Sequence, residues 1–237
     1  MRNGTSIAVV IPALNEEGAI GRVVADIPDW VDQVIVADNG STDSTAEVAR
    51  VGGAIVVHEP EQGYGAACLK AIACAGQVDI IVFMDGDYSD YGEDMHLLVD
   101  PIIEGVADFV LASRALGERE AGSLTPQQRF GNWLATTLLR LIWRADFTDL
   151  GPYRAIRRDA LERLHMADRN YGWTVEMQIK AAEIGLRCRE VPGRYRRRIG
   201  HSKVSGTLKG SILAGYKILS IIGRHAVRPS LKRDAAQ

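Results

Sequence analysis

"VFMDGDYSDYGEDM", residues 82–95, sets five carboxylates, Asp85, Asp87, Asp90, Glu93 and Asp94, directly behind an apolar run. Like charges crowded at the end of a buried strand need either water or an opposing charge. For Glu93 and Asp94 the start of a solvated helix suffices, because a helix N-terminus favours carboxylates. Asp85 and Asp87 stand two apart at the strand end itself. Two carboxylates so offset can flank a divalent cation whose other sites are filled by phosphate oxygens and water. A charged loop would be spelled with the same letters, so the surrounding chain has to decide between them.

Outward from this point the same join of apolar run to polar turn recurs. "SIAVVIP", "VDQVIVAD", "AIVVHE", "VDIIVFMD" and "ADFVLAS" are short and rich in β-branched residues, and they alternate with the helical patterns "EEGAIGRVVADI", "STAEVARVG", "YGAACLKAIACA" and "GEDMHLLVDPIIEG". Runs this continuous belong to strands covered on both faces. The expected fold is α/β, a doubly wound, mostly parallel sheet whose ligands bind at the carboxyl ends of its strands. After Ser113 the pattern changes to a loop, a helix over about 127–143, the compact segment "TDLGPYRAIRRDAL", a helix over about 173–184, a strand "LRCREVP", a basic run and a last helix over about 207–222. With no linker composition or repeat, residues 1–237 are expected to form a single domain. It would have a ligand-binding half at 1–113, an elaboration at 114–227 and a disordered tail at 228–237.

Composition narrows the class. A chain of 237 residues with 46% hydrophobic and 24% charged residues is ordinary for a folded soluble protein. Its three cysteines, Cys68, Cys74 and Cys188, have neither disulfide nor metal spacing and are expected to be small core residues in a reducing compartment. No apolar run suits a signal peptide or a spanning helix, so the chain is expected to be cytoplasmic, with peripheral contact to a membrane still open. Residues 1–150 carry 23 Asp and Glu against 9 Lys and Arg, whereas residues 151–237 carry 7 against 19. That asymmetry suggests a cation partner for the first part and an anion or membrane surface for the second.

Taken singly, the strand ends are ambiguous. "IPALNEEGAI" reads equally as an Asn cap before a helix near Glu16, and "VADNGSTDSTAE" as turn and cap chemistry. "HEPEQGYGAACLKAI" opens a helix with Gly63 and Gly65, where backbone can approach a ligand closely. The usual dinucleotide and P-loop glycine patterns are missing.

Together, in order and spacing, "IPALNEE", "VADNGSTD", "EQGYGAA" and "MDGD" resemble the motifs of family-2 glycosyltransferases with the GT-A fold, the last being their D-x-D motif. "GPYRAIRRDAL", "YGWTVEMQIKAAEIGLRCREVP" and "RYRRRIGHSKVSGTLKGSILAGYKIL" resemble the back half of the dolichyl- or polyprenyl-phosphate mannose and glucose synthases of that family. The resemblance implies transfer of a hexose from a nucleoside-diphosphate sugar, of the UDP-glucose or GDP-mannose class, to a polyprenyl phosphate. It implies that Pro12, Leu14, Glu16 and Gly63 border the nucleotide, that Asp38 accepts a hydrogen bond from the base, and that Asp85 lies near the ribose and diphosphate. Asp87, with Asp85, would hold Mg2+ or Mn2+. Where related enzymes carry a Gln two residues beyond the second Asp, this chain has Ser89, with Asp90 next.

For the acceptor phosphate the resemblance points to Arg114 and Arg129. The basic run adds Arg196, Arg197, Arg198, Ser202 and Lys203, since guanidinium groups clamp phosphate in pairs of hydrogen bonds. A phosphate is already an anion and needs no general base; a hydroxyl acceptor would need one, with Asp149 and Glu176 as the candidates. The expected enzyme is thus an inverting, metal-dependent hexosyltransferase. Rival readings are the same donor with a soluble hydroxyl acceptor, and a non-catalytic nucleotide-sugar binding protein. Nucleic acid is not an expected partner, and a homodimer remains open.

Overall fold

The computed structural model describes residues 1–200 and 208–227. Ser202, Lys203 and the tail from Arg228, all singled out above, lie outside the described residues.

The five apolar runs form β1 (Ile7–Ala13), β2 (Gln33–Asp38), β3 (Ile55–His58), β4 (Ile80–Phe83) and β5 (Phe109–Ser113). Two further strands, β6 (Arg154–Arg157) and β7 (Cys188–Pro192), complete one seven-stranded sheet in the order β3-β2-β1-β4-β6-β5-β7. β1 pairs in parallel with β2 and β4, β2 with β3, and β5 with β7. Alternate residues of each strand point to opposite faces. Val10, Ala37, Ile81 and Leu111 therefore enter one core, and Ile11, Val36, Val82 and Val110 the other. Because both faces are covered, the runs are apolar throughout; each such side chain contributes about 1.5–3 kcal/mol by leaving water.

Helices α1 (Ile20–Ala25), α2 (Thr45–Val51) and α4 (Met95–Ile103) cover the second face, and α3 (Tyr64–Cys74), α5 (Pro126–Trp143), α7 (Trp173–Glu183) and α8 (Leu208–Val227) the first; the short α6 (Arg158–Leu164) follows β6. Thr125 caps α5, accepting from Gln128 N at 3.2 Å while Gln128 returns a bond to its backbone. Among the described residues no helix is long and apolar enough to cross a membrane.

The strand missing from the sequence reading is β6. "RAIR" is only four residues long and bears a charge at each end, so it gives little strand signal, yet it runs antiparallel between β4 and β5. Its Arg154 is fully buried and satisfied by carbonyls, donating to Gly151 O at 3.1 Å and Thr174 O at 3.0 Å. The cysteine expectation also needs correction: only Cys68 is buried, and Cys74 and Cys188 are exposed. The helix expected near Glu16 starts instead at Ile20, because residues 15–17 are tied to the next strand end.

Candidate active site

The chain order places β2 and β4 on opposite sides of β1, so a crevice opens beyond their carboxyl ends. Asp38 lies beside Ala13 in the register, and β4 runs directly into Met84 and Asp85. Pro12, Leu14, Glu16, Asn39, Gly63, Tyr64, Asp85, Asp87 and Arg198 are among the residues lining a cleft of about 320 Å³ at this point.

Its first wall is a reciprocal weave of two turns. Asn15, at φ 52°, accepts from Thr42 N at 2.8 Å and donates its own N–H to Ser41 Oγ at 2.9 Å. Glu16 N donates to Thr45 Oγ1 at 2.7 Å, and Ser44 N to Glu17 Oε2 at 2.9 Å. Asp38 is buried next to Asn39 and does not itself line the cleft, accepting from Ser41 N at 3.2 Å with His58 Nδ1 3.4 Å away. Its neighbour Asn39 reaches the cleft and ties down the next turn, donating to Glu59 O and Glu61 O and accepting from Gly63 N at 2.7 Å.

The glycines of that turn answer to protein as well as to the cleft. A Cβ on Gly63 or Gly65 would collide with the backbone carbonyls of Arg169 and Asp168, and Ala66 N donates to Arg169 O at 2.9 Å. Residues 168–171 thus press against the opening of α3 and bring Asn170 and Tyr171 into the cleft.

At the β4 end, Asp85 accepts from Tyr64 Oη at 3.0 Å. Burial first, and then the charge of Asp87, push the Asp85 pKa up to about 7. Burial, with Asp85 and Asp87, likewise drives Asp90 well above the usual carboxylate range. Asp87 is held by Ser89, whose N and Oγ donate to its Oδ1 at 3.0 and 2.5 Å. Opposite, Arg198 Nη1 lies 3.2 Å from Asp87 Oδ2 and Nη2 2.9 Å from Glu16 Oε1. Its Nε is shut off from solvent without a partner among the described residues.

The three arginines expected to act together are separated. Arg196 stacks on Tyr88 and Tyr91, donates to Tyr88 O at 2.6 Å and Asp90 O at 2.9 Å, and pairs with Asp26 at 2.8 Å. Exposed Arg197 donates to Ala121 O. Only Arg198 of the three lines the cleft. Arg129 is exposed in the first turn of α5. Arg114 is gripped by both oxygens of Asp149 at 2.7 and 2.8 Å. Burial works to raise the Asp149 pKa, but Arg114's charge and hydrogen bonds outweigh it and hold the carboxyl below its ordinary value. Glu176 is buried, accepting from Ala167 N and Asp168 N and pairing with Lys180 Nζ at 2.8 Å. Neither Asp149 nor Glu176 lines the cleft. Of the lining residues, Asn39, Gln62, Tyr64, Asn170 and Tyr171 escaped the sequence reading. Asn39, Gln62 and Tyr64 sit inside recognised motifs, and Tyr171 opens the segment "YGWTVEMQIKAAEIGLRCREVP", but nothing local marks Asn170.

A mostly parallel sheet with acidic groups at the β4 end, facing a turn from β1 and a distant arginine, is the GT-A type of sugar-transferase fold. The profile of glycosyl transferase family 2 matches residues 8–165, and the chain belongs to that family; it is a transferase. It is 39% identical over 213 residues to an uncharacterized glycosyltransferase of Mycobacterium tuberculosis, spanning 89% of this chain and 95% of the relative. A dolichyl-phosphate hexose transferase of Haloferax volcanii is 33% identical, over 91% of this chain and 93% of its own. Among solved structures, glucosyl-3-phosphoglycerate synthase from M. tuberculosis, in complex with Mn2+, UDP-glucose and phosphoglyceric acid, superposes with a TM-score of 0.77 at 25% identity. That match covers 96% of this chain and 82% of the other.

Proposed function

We propose that the protein is an inverting, metal-dependent hexosyltransferase that takes its sugar from a nucleoside diphosphate, of the UDP-glucose or GDP-mannose class, and gives it to a lipid phosphate. The observation that carries this reading is the cleft in which Asp85 and Asp87 face Arg198. The nucleotide would lie along Pro12–Leu14 and Asn39, with Asp38 just behind Asn39 in the chain and Tyr64 fixing the orientation of Asp85. The name of the Haloferax relative supports the lipid-phosphate acceptor, and the UDP-glucose in the solved synthase supports the donor class; the phosphoglyceric acid of that synthase favours the rival, a soluble acceptor.

The donor set suits a hard dication. Among the described residues no three His, Cys, Asp or Glu side chains converge as a closed metal cage. Asp85 and Asp87 would hold Mg2+ or Mn2+ with the remaining positions left to diphosphate and water, the usual style for these ions. Burial first, and the charge of Asp87 second, raise the Asp85 pKa, and a bound cation would favour its charged form. When bound, the ion would act as a Lewis acid that stabilises charge on the departing diphosphate.

The chain's own groups complete the chemistry. Arg198 can lend its guanidinium to the diphosphate, and Ser89 keeps Asp87 turned toward the cleft. The acceptor oxygen attacks the anomeric carbon opposite the nucleotide, in one displacement. An acceptor phosphate already carries its negative charge, which agrees with Asp149 and Glu176 being engaged in ion pairs. Turnover of UDP-glucose and GDP-mannose with Mn2+ or Mg2+, in the presence of polyprenyl phosphate, tests the proposal. Lipid-linked hexose should form with one of the donors. Transfer only to a soluble hydroxyl would replace the acceptor class, and binding without turnover would replace the enzyme reading of the cleft.

A further inference from the structure

The far wall of the cleft takes its shape from outside the sheet. Asn170 and Tyr171 line it, on a loop organised by Asp168. Asp168 Oδ1 accepts the backbone N–H groups of Asn170 at 2.8 Å and Gly172 at 3.0 Å. Its other oxygen lies 2.9 Å from Nζ of Lys217, in α8. A Cβ on Gly172 would collide with Ile221 of the same helix and crowd the Asp168 carboxylate, so α8 packs directly on the loop. On the opposite side, the loop's carbonyls fill the space beside Gly63 and Gly65. Residues 168–172 are therefore clamped between α8 and the turn that opens α3.

We infer that Lys217 is a positioning residue for the donor cleft: through Asp168 it fixes the loop in the shape in which Asn170 and Tyr171 meet the bound nucleotide sugar. This role rests on the donor reading given above. The Asp168 side chain is 7% exposed and the Lys217 side chain 36%. Removing the ammonium leaves a nearly buried carboxylate without its cation, and the loop then populates other shapes. A ligand that binds only the competent shape loses apparent affinity in proportion to the fraction lost.

The helix carries an internal control. About 12 Å further along α8, His225 Nδ1 lies 3.2 Å from Glu183, which is buried and also accepts from Trp143 Nε1 at 3.3 Å. That anchor holds α8 to α5 and α7 without touching the loop.

Titration calorimetry with UDP-glucose and GDP-mannose in Mn2+, on the full chain, separates positioning from general support. Lys217→Met should weaken binding of the donor by about threefold to twentyfold, and Lys217→Arg should restore most of it. His225→Phe should lower the melting temperature while leaving donor affinity at the parental value. Equal affinity in Lys217→Met and parent overturns the inference, as does an equal loss in His225→Phe, which would make α8 a general stabiliser. A parent that binds neither nucleotide sugar overturns the donor reading, and this role of Lys217 with it.

Discussion

Arg198 Nη1 stands 3.2 Å from Asp87 Oδ2, joining the far end of the basic run to the acidic strand end. The same guanidinium touches Glu16, so one cation offsets carboxylates from two strand-end loops that would otherwise repel across the cleft. A bound diphosphate would bring further negative charge to this point, where the buried Nε of Arg198 has no partner among the described residues.

The arginines should accordingly separate by phenotype. Arg198→Gln is expected to weaken binding of a nucleoside diphosphate about tenfold or more, the loss of a charge-assisted hydrogen bond, with a smaller drop in melting temperature than Arg196→Gln. Arg196→Gln should do the reverse, because it strips bonds from Tyr88 O, Asp90 O and Asp26 and the stacking on two tyrosines. Its expected cost is about 2–3 kcal/mol of stability. Denaturant melts and calorimetry on both variants check the pair, and the same phenotype in both would contradict it.

Asp87→Ala should leave a folded protein that turns over roughly a thousandfold more slowly with Mn2+, a loss of about 4 kcal/mol of barrier stabilisation. Ser89→Ala should act in the same direction but more weakly, since it removes the hydroxyl that orients Asp87 and not the carboxylate. Steady-state rates at saturating metal decide, and parental turnover in Asp87→Ala would remove this residue from the chemistry.

Asp149 is expected to behave as the partner of Arg114 and not as a base. Asp149→Asn should lower stability by about 3–5 kcal/mol, because a buried guanidinium loses its counter-charge. Any remaining turnover should keep the parental shape of its pH–rate profile. Loss of one limb of that profile, with stability intact, would instead identify a titrating catalytic group.

Far from the cleft, Asp108 supplies an acid-stability test. Hydrogen bonds from Arg187 act against burial and hold its pKa down to about 2, from an ordinary 3.8. A folded-state value below the unfolded one contributes stability above pH 3.8 that is lost as pH falls through about 2. Since Arg187 is half exposed, water screens the pair, and about 1–2 kcal/mol is expected. Asp108→Asn should therefore flatten stability between about pH 4 and 2, measured by urea melts; an unchanged slope would contradict the assignment.

The sequence by itself determined the five apolar strands, the covering helices and the chemistry collected at the strand ends. Those signals are local: period, turn residues and the polar letters that follow each run. Even the place of "MDGD", at the end of a buried strand, is written in the eight preceding residues. Tertiary structure decided the rest. Nothing in "RAIR" announces an antiparallel strand, because Arg154 is made tolerable there by carbonyls that only the fold supplies. Within "YRRRIG" the letters are alike, yet Tyr88, Tyr91 and Asp26 claim Arg196 while Glu16 and Asp87 claim Arg198. Asp149 looked free to take a proton until Arg114 was found against it. Asn170 and Tyr171 became cleft residues only because α8 presses their loop onto two glycines more than a hundred positions earlier in the chain. Which partner a charged side chain meets depends on contacts between distant segments, and no local pattern of residues encodes that choice.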